Sequence, residues 1–320
     1  MSGPDVLPDV LPDVLVVGPL RPDQMAELER AYTLHRYDQA ADKDGFLNGT
    51  APKIRAVVTT GGFGFTADLL AKLPNLEIVG SSGVGVDKID VAACRVRGIP
   101  VTNTPDVLND DVADLAFGLV IACLRAMPAG HDYVRSGDWG QKGMMRLTTT
   151  LSGKTLGIVG LGRIGREIAD RARAFRMKVA YTGRNRQDVP FDYIADLGAL
   201  ARAADVLMLT VPGGEATRNL VGAAELEALG PDGWLVSVAR GSVVDETALV
   251  AALKAGTIRG AGLDVYWNEP RPDAELVALP NVVLYPHHAS GTVETRAAMS
   301  RLVVDNLAAH FSGRPLITPV

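Results

Sequence analysis

The sequence predicts an α/β protein built from two doubly wound parallel-sheet domains, with a ligand-binding cleft between them. Short apolar runs alternate with helical patterns along most of the chain, which is typical of parallel sheets covered on both faces. Two of these runs end in glycine-rich turns, at the kind of position where open α/β sheets bind ligands. The length of 320 residues also suits two domains of ordinary size better than one small core.

Composition argues against several classes of protein. Apolar residues make up 47% of the chain and charged residues 22%, as in soluble globular proteins, and the net charge of −5 gives no reason to expect nucleic acid. No run approaches the ~20 apolar residues of a membrane helix, and no secretory signal is visible. Cys94 and Cys123 have no neighbours at metal-ligand spacing. We therefore expect a cytoplasmic protein without a metal site and without a nucleic-acid or membrane partner.

The first domain is predicted from residues 1–104 together with 290–320. Three Pro-Asp-Val-Leu repeats over residues 4–15 are interpreted as a tail that runs into the first strand. Strands and helices then alternate, with strands at residues 14–17, 54–59, 76–79 and 100–102 and helices at 22–32, 67–73 and 91–97. A final helix over residues 292–311 is expected to return the chain to this domain.

A glycine-rich turn, Ser81-Ser82-Gly83-Val84-Gly85, follows the third of these strands. The exposed N–H groups of such a turn suit a small carboxylate, because successive main-chain donors form a concave anion site. A plain turn explains the same residues nearly as well. Both interpretations stay open on these residues alone.

Asn103-Thr104-Pro105 interrupts the alternation, and a long helix is predicted after it. Asn109 suits the N-cap of this helix, since short acceptors favour that position, and Pro128 marks its end. The helix is interpreted as an arm that leads to the second domain. Residues 131–151 are predicted to form a loop, and Trp139 in it indicates a partner surface, with packing over its own domain as the alternative.

The second domain is predicted over residues 105–289, where the alternation resumes. Its strands are expected at residues 156–159, 179–181, 206–209, 234–238, 262–265 and 282–285. One helix runs from the first glycine turn to residue 175, and the others are expected at residues 197–203, 223–229 and 246–255.

Gly160-Leu161-Gly162-Arg163-Ile164-Gly165 lies between the first strand and the first helix of this domain. Gly160 and Gly162 let the backbone turn sharply and approach a ligand closely. The free N–H groups of the following helix N-terminus suit a pyrophosphate. The strand-turn-helix context therefore predicts a dinucleotide site, with a tight turn that binds no ligand as the alternative.

The residues after the next strand indicate which dinucleotide is bound. An acidic residue about 20 positions past the glycines hydrogen-bonds the ribose 2′-hydroxyl in NAD sites. Here Thr182 takes that place, and Gly183, Arg184, Asn185 and Arg186 follow it. No carboxylate repels a 2′-phosphate and two guanidinium groups are available to bind one, so NADP(H) is favoured over NAD(H). A solvated surface loop is the alternative.

Three ionisable residues, Arg240, Glu269 and His287, follow predicted strands of the second domain. Singly they are explained as a surface arginine, a loop glutamate and a histidine at a strand end. Together, after a dinucleotide turn, they supply a carboxylate-binding cation and a proton donor with its partner, as reduction of a 2-keto acid requires. Periodicity alone does not tell whether His287 or the adjacent His288 is the important histidine.

From about residue 54 to its C-terminus, the chain resembles the D-isomer-specific 2-hydroxyacid dehydrogenase family. The motifs that carry the resemblance are the glycine turn at 160–165, Gly83-Val84-Gly85 with Asp87 and Asp90, Asn103-Thr104-Pro105, Ala239-Arg240-Gly241 with Val244-Asp245, Gly262-Leu263-Asp264-Val265, Glu269-Pro270 and Pro286-His287. Through Thr182-Gly183-Arg184 and residues 291–296 it is similar to NADPH-preferring glyoxylate/hydroxypyruvate reductases and to hydroxyphenylpyruvate reductases. Ser237 departs from the family pattern, in which asparagine is common at that position.

The resemblance implies a Rossmann cofactor domain, a flavodoxin-like substrate domain and a homodimer. It implies that His287 donates a proton to the keto oxygen and that Glu269 favours the protonated imidazole. It also implies that Arg240 and the N–H groups of Val84 and Gly85 bind the substrate carboxylate. NADPH is the implied cofactor, with NADH weaker. The implied cofactor-binding residues are Gly160, Leu161, Gly162, Arg163, Ile164, Thr182, Gly183, Arg184, Asn185, Val211, Pro212, Thr217, Val238, Ala239, Arg240, Asp264, His287, Ala289 and Ser290.

Other functions stay open on the sequence. A hydroxyphenylpyruvate reductase or another D-2-hydroxyacid dehydrogenase fits the same motifs, because pocket volume decides among such substrates. A dinucleotide-sensing binding protein, similar to the co-repressors that resemble this family, is the alternative from another class, although no appended interaction tail is seen. Phosphoglycerate dehydrogenases usually carry an added regulatory domain, whereas this chain stops at Val320. Formate dehydrogenases lack the glutamate that Glu269 supplies here.

Overall fold

A computed structural model describes residues 11–320 of the chain. Residues 4–10, which hold most of the predicted repeat tail, lie outside the described residues. The chain divides into two compact units. The first takes in the described residues up to Leu108 together with Thr292–Val320, and the second is Asn109–Gly291.

In chain order, the strands are β1 Asp13–Val16, β2 Thr33–His35, β3 Ile54–Thr60, β4 Ile78–Ser82, β5 Val101–Thr102, β6 Thr155–Val159, β7 Lys178–Thr182, β8 Asp192–Tyr193, β9 Val206–Leu209, β10 Trp234–Ser237, β11 Gly260–Leu263 and β12 Val282–Leu284. The α-helices are α1 Pro22–Ala31, α2 Lys43–Thr50, α3 Ala67–Ala71, α4 Val91–Val96, α5 Asn109–Leu124, α6 Met127–Arg135, α7 Asp138–Lys142, α8 Arg163–Ala174, α9 Leu197–Ala203, α10 Ala223–Leu229, α11 Glu246–Ala255, α12 Ala274–Val277 and α13 Val293–Phe311.

The first unit holds a five-stranded sheet in the order β2-β1-β3-β4-β5, and every neighbouring pair of strands is parallel. This is the doubly wound order of flavodoxin-like sheets. Successive side chains of a strand point to opposite faces. Leu15 and Val57 therefore belong to the core on one face, and Val14 and Val58 to the core on the other.

The C-terminal helix α13 covers one face of this sheet. Its Leu307 is fully buried, and a Cβ added at Gly80 of β4 would come within 2.9 Å of Leu307 Cδ1. The side chain of Asn306 then fixes the chain beyond the helix, because Asn306 Oδ1 accepts N–H bonds from Ile317 at 3.0 Å and Thr318 at 3.2 Å. Both ends of the sequence thus contribute to the first unit.

Glu77, at the start of β4, is bound by side chains from two other elements of this unit. Arg55 Nε and Nη2 donate to Glu77 Oε1 and Oε2 at 2.6 and 3.0 Å, and His310 Nε2 lies 3.3 Å from Glu77 Oε2. These contacts, Arg55 first, lower the pKa of Glu77. A carboxyl whose pKa is lowered by folding stabilises the folded state above its ordinary pKa, and this stabilisation is lost as the pH falls through the folded value.

We expect Glu77→Gln to lower the thermal-unfolding midpoint at neutral pH, and the difference from wild type to narrow as the pH is lowered toward acid unfolding. Unfolding curves of both proteins over that pH range measure the difference. Glu275→Gln, which removes the exposed ion pair with Lys254, is the control and is expected to show little difference at any pH. A Glu77→Gln difference that does not change with pH would contradict the assignment.

The second unit holds a seven-stranded sheet in the order β12-β11-β10-β9-β6-β7-β8, again with every neighbouring pair parallel. From β6 outward this is the Rossmann order with one further strand at one edge. Its cores lie on both faces, one built with α9, α10 and α11 and the other with α5 and α8. The predicted fold class of two doubly wound parallel sheets is confirmed.

Two edge strands, β2 and β8, were not predicted. They are three and two residues long and contain Thr33, His35 and Asp192 in place of an apolar run. Their strand conformation comes from pairing with β1 and β7, whose backbone groups they satisfy. Edge strands of this kind leave little hydrophobic signal in a sequence.

The predictions around the long helix were wrong in three respects. Asn109 is the first residue of α5 and not its N-cap, and α5 ends at Leu124, before Pro128. Pro128 instead lies in the first turn of α6, a position where its missing N–H costs nothing. Part of the predicted loop at 131–151 is helical, in α6 and α7, and Trp139 lies on α7 with 59% of its surface exposed.

Within residues 11–320, no single helix is long and apolar enough to cross a membrane. The pair of α5 and α6 passes the test of length and composition only when the two are taken together, across a 61° bend. Much of α5 is buried in the core of its own unit, which explains its apolar composition.

Candidate active site

Two of the three glycines in the turn between β6 and α8 are required by close packing, and the third faces open space. Gly160 has a φ of +97°, and a Cβ there would lie 2.7 Å from Val211 Cγ1. A Cβ at Gly165 would lie 2.6 Å from the Gly160 carbonyl oxygen, so α8 packs closely on the turn. Gly162, next to the first residue of α8, has nothing within 4 Å of such a Cβ. This open space in front of a helix N-terminus fits a dinucleotide pyrophosphate.

Two polar side chains that the sequence did not indicate hold this turn. Thr210 Oγ1, just after β9, donates to the Gly160 carbonyl oxygen at 2.6 Å. Gln187 Nε2 donates to the Leu161 carbonyl oxygen at 2.7 Å. The main-chain N–H groups of the first turn of α8 have no carbonyl partner within the helix, as at any helix N-terminus. The position of Thr210 at the carboxyl end of a strand was the one signal available in the sequence.

The segment after β7 presents cations and no acidic residue at the position where NAD sites carry one. Thr182 is buried, and its Oγ1 donates to the Ala195 carbonyl oxygen at 3.1 Å. Arg184, Asn185 and Arg186 are exposed. Neither of these two arginines forms an ion pair with any residue from 11 to 320. Two guanidinium groups beside this edge fit a 2′-phosphate.

The remaining predicted cofactor-binding residues follow strands at the same edge of the sheet. Thr217 Oγ1 donates to the Pro212 carbonyl oxygen at 2.7 Å, which closes the loop after β9. Val238 and Ala239 come directly after β10, and Ala289 and Ser290 follow β12. Because the strands are parallel, their carboxyl ends and the glycine turn lie along one edge.

Arg240, Glu269 and His287 follow three adjacent strands, β10, β11 and β12. Arg240 Nη1 donates to the carbonyl oxygen of Ala239 at 2.7 Å. The main chain of the next residue, Gly241, touches the segment that carries Glu269, since a Cβ at Gly241 would lie 2.0 Å from the carbonyl of Tyr266. The fold therefore brings the three predicted catalytic residues to one stretch of the sheet edge.

Glu269 and His287 form a direct pair. His287 Nδ1 lies 2.7 Å from Glu269 Oε2, and the other carboxylate oxygen, Oε1, accepts the N–H of Tyr266 at 3.0 Å. The carboxylate is thereby held at both oxygens. With Nδ1 donating to Glu269, Nε2 is the ring nitrogen left to exchange a proton with a ligand.

The backbone at His287 distinguishes it from His288. His287 has a φ of +48°, in the left-handed region that few non-glycine residues adopt. The buried carboxylate of Asp264 accepts the next two N–H groups, from His288 at 2.8 Å and Ala289 at 3.1 Å. Burial is the main cause of a raised pKa for Asp264. The ring of His288 lies against Gly291 and does not pair with Glu269.

In the first unit, the turn after β4 is held by the Asn103-Thr104-Pro105 motif. Thr104 Oγ1 accepts the N–H of Gly83 at 3.0 Å, and Asn103 Nδ2 donates to the Val84 carbonyl oxygen at 2.9 Å. The main-chain N–H groups of Val84 and Gly85 take no part in these bonds. The geometry suits the predicted carboxylate site while also explaining the motif as a structural support.

Two acidic residues of the quoted motifs are helix caps. Asp90 Oδ1 accepts the N–H of Ala93 at the start of α4 at 2.8 Å, and Asp245 Oδ1 accepts the N–H of Ala248 at the start of α11 at 3.0 Å. Caps of this kind typically stabilise a helix by about 1 kcal/mol. Their place in the motifs therefore has a structural explanation.

The model of a known family, described as "D-isomer specific 2-hydroxyacid dehydrogenase, NAD binding domain", matches residues 117–289. This match covers more than half of the chain and lies within the second unit. The chain belongs to the D-isomer specific 2-hydroxyacid dehydrogenase family. The matched model is that of the family's NAD-binding domain, and the residues that it matches include the glycine turn between β6 and α8.

Relatives of this dehydrogenase span nearly the whole chain. It is 50% identical over 295 residues to glyoxylate/hydroxypyruvate reductase A of Arabidopsis thaliana, covering 92% of this chain and 94% of that one. It is 48% identical to the hydroxyphenylpyruvate reductase of Plectranthus scutellarioides, with the same two coverages. A solved structure of an NADPH-dependent glyoxylate/hydroxypyruvate reductase from Sinorhizobium meliloti, in complex with NADP and malonate, superimposes with a TM-score of 0.89 at 42% identity, covering 97% of this chain and 96% of that one.

Proposed function

We propose that this dehydrogenase reduces a small 2-keto acid, glyoxylate or hydroxypyruvate, to the D-2-hydroxy acid with NADPH. The observation that carries the proposal is the Glu269–His287 pair, with 2.7 Å between Oε2 and Nδ1, at the sheet edge that also carries the dinucleotide turn. The Arabidopsis and Sinorhizobium relatives, both named as reductases of these two keto acids, support the choice of substrate.

NADPH is supported as the cofactor by the charge of the segment after β7. Arg184 and Arg186 are exposed there, and no carboxylate stands at the position that binds a ribose 2′-hydroxyl in NAD sites. Guanidinium groups bind phosphate with several parallel donors. The presence of NADP in the Sinorhizobium meliloti reductase agrees with this assignment. NADH is expected to be used more weakly.

In the proposed mechanism each residue has one role. Bound NADPH supplies a hydride to the keto carbon. His287 donates its Nε2 proton to the keto oxygen, which prevents an alkoxide from accumulating. Glu269 accepts from Nδ1, which fixes the ring and leaves Nε2 for the substrate. Arg240 binds the substrate carboxylate and so fixes the face that receives the hydride. In the first unit, the N–H groups of Val84 and Gly85 are the proposed further donors to a carboxylate.

The domain boundaries remain part of the proposal. We assign residues 1–104 and 290–320 to substrate binding and residues 105–289 to the cofactor. We also propose a cytoplasmic location, in keeping with two free, buried cysteines in a reducing compartment.

We propose a homodimer whose contact surface includes α6, α7 and the residues that follow. Met127, Trp139, Met144 and Leu147 expose 56%, 59%, 86% and 95% of their surfaces. Large apolar side chains grouped on one exposed segment indicate a partner surface. Sedimentation or light scattering of the wild-type protein and of a Met144→Lys, Leu147→Lys variant measures this, with a dimer expected only for the wild type.

Hydroxyphenylpyruvate reduction is the second candidate, because the Plectranthus scutellarioides relative is 48% identical and carries that name. The two candidates differ in the volume that the substrate side chain needs. A panel of glyoxylate, hydroxypyruvate and hydroxyphenylpyruvate, each with NADPH and with NADH, tests both by the rate of cofactor oxidation. We expect the highest kcat/KM for the smaller acids with NADPH. Cofactor binding without oxidation by any keto acid would support the dinucleotide-sensing alternative instead.

A substitution at Gly241 tests whether Arg240 and Glu269 belong to one site. A Cβ at Gly241 would meet the carbonyl of Tyr266 at 2.0 Å, so the Arg240 segment and the Glu269 segment must separate. We expect Gly241→Ala to lower kcat/KM by about 10²-fold, which is the cost of a misplacement of about 1 Å. Gly118→Ala in α5 is the matched control, because nothing lies within 4 Å of a Cβ there. Full activity of Gly241→Ala would contradict the proposed site.

A further inference from the structure

Tyr266 connects the ends of β11 and β12 through its side chain. Its hydroxyl lies 2.8 Å from the Tyr285 carbonyl oxygen and 3.0 Å from that of Leu263, and it accepts the N–H of Tyr285 at 3.0 Å. The side chain is 8% exposed, and burial is the main cause of a Tyr266 pKa raised to about 12. The phenol therefore stays protonated and able to donate at every working pH.

The main chain of Tyr266 contacts Glu269, which is paired with His287 in the proposed proton transfer. Its N–H donates to Glu269 Oε1 at 3.0 Å, while Glu269 Oε2 holds His287 Nδ1. One residue thus supports Glu269 through its backbone and the segment before His287 through its hydroxyl.

His287 needs support on both sides because of its left-handed backbone, with a φ of +48°. Such a conformation costs energy in a residue with a Cβ, and it persists only where the surroundings fix it. Asp264 fixes the following side by accepting the N–H groups of His288 and Ala289. The preceding side is fixed at Tyr285, whose N–H donates to the Leu263 carbonyl oxygen at 2.8 Å and to the Tyr266 hydroxyl at 3.0 Å. The Tyr266 hydroxyl also lies 2.8 Å from the Tyr285 carbonyl oxygen, the one main-chain group of Tyr285 that the strand pairing with Leu263 does not hold.

We infer that Tyr266 is a positioning residue for proton transfer, and that its hydroxyl holds His287 in register with Glu269 through the main chain of Tyr285. Tyr266 acts through these neighbours and does not touch the reacting atoms. The expected effect of Tyr266 on kcat rests on the proposed function. The hydrogen-bond geometry that the inference assigns to Tyr266 can be tested separately.

Tyr266→Phe is the variant that tests this role, since it removes the hydroxyl and keeps the ring. We expect kcat for hydroxypyruvate to fall by about five-fold, the factor that one ordinary hydrogen bond is worth. The affinity for NADPH, measured by fluorescence titration, is expected to stay unchanged. The solvent deuterium isotope effect on kcat is expected to rise, because a displaced imidazole makes proton transfer more rate-limiting. An unchanged kcat, or a lower kcat with an unchanged isotope effect, overturns the inference.

Proton NMR of the free enzyme gives a readout that does not depend on turnover. The His287 Nδ1 proton, bound to Glu269, is expected to give a downfield signal at low temperature, and Glu269→Gln is expected to move this signal upfield or remove it. In Tyr266→Phe this signal is expected to broaden. If the signal keeps its width while only the unfolding temperature falls, Tyr266 has a purely structural role and the inference fails.

Tyr37→Phe is the matched control, because Tyr37 lies in the first unit, packs on Phe46 through its ring and takes no part in the link between Tyr266 and His287. We expect the kcat, isotope effect and NMR signal of this variant to match the wild type, and equal losses in both variants would overturn the inference. If wild-type enzyme reduces no keto acid, the proposed function fails, while the NMR comparison still decides whether Tyr266 orders the pair.

Discussion

A His287→Gln variant is expected to lose about 10²- to 10⁴-fold in kcat for hydroxypyruvate, the range that positioned proton transfer contributes. Glutamine is polar and of similar reach, and its amide can donate to Glu269 as His287 Nδ1 does at 2.7 Å. It has no titratable proton to give to the keto oxygen. The affinity for NADPH should stay almost intact, since the dinucleotide turn and the segment after β7 are untouched. Steady-state kinetics and a cofactor titration measure both quantities.

His288→Gln is the control for this substitution. The ring of His288 lies against Gly291, and its main-chain N–H, which Asp264 accepts at 2.8 Å, survives the change. The loss of kcat should therefore be much smaller than for His287→Gln. Turnover of His287→Gln within a factor of about ten of the wild type would remove His287 from the role of proton donor.

The sequence predicts an element of the fold best when that element buries much apolar surface. The central strand β9 is buried along its whole length and appears as a continuous apolar run, which is typical of a parallel sheet. Edge strands β2 and β8 are short and half polar, and only their partners make them strands. Pro128 was misleading because proline both ends helices and suits the first turn of the next one.

The candidate site divides in a similar way. Arg240, Glu269 and His287 carry chemistry in their side chains and each follows a strand, so residue type, position and the family resemblance were enough to propose them as candidates. Tyr266 and Thr210 act by hydrogen bonds from a hydroxyl to the backbone of a neighbouring segment. Those contacts exist only when two strand ends lie side by side. No pattern of spacing in one sequence specifies which carbonyl a hydroxyl will meet.

Arg184→Asp is expected to invert the cofactor preference. The substitution removes the cation proposed to bind the 2′-phosphate and replaces it with a carboxylate, which is expected to repel a 2′-phosphate and to accept from a ribose 2′-hydroxyl. A charge-assisted hydrogen bond contributes about 1.5–3 kcal/mol, so the ratio of kcat/KM for NADPH to that for NADH should fall by roughly 10²-fold. Thr182 Oγ1 keeps its bond to Ala195 at 3.1 Å, so the end of β7 should stay in place. Saturation kinetics with each cofactor at fixed hydroxypyruvate measure the ratio.

Arg184→Asp also changes the net charge of the protein, and a more negative protein attracts any dinucleotide less strongly. A control must therefore separate this general effect from the local effect at the ribose. Arg95→Asp makes the same change in charge at an exposed position on α4, in the other unit of the chain. It should weaken NADPH and NADH only slightly, with NADPH, the more highly charged cofactor, affected somewhat more. Only Arg184→Asp should strongly lower the ratio of kcat/KM for NADPH to that for NADH. Its kcat with NADH should be retained, because the Glu269–His287 pair follows strands on the other side of β6. A purified Arg184→Asp protein that still favours NADPH would show that the exposed arginines after β7 do not select the cofactor.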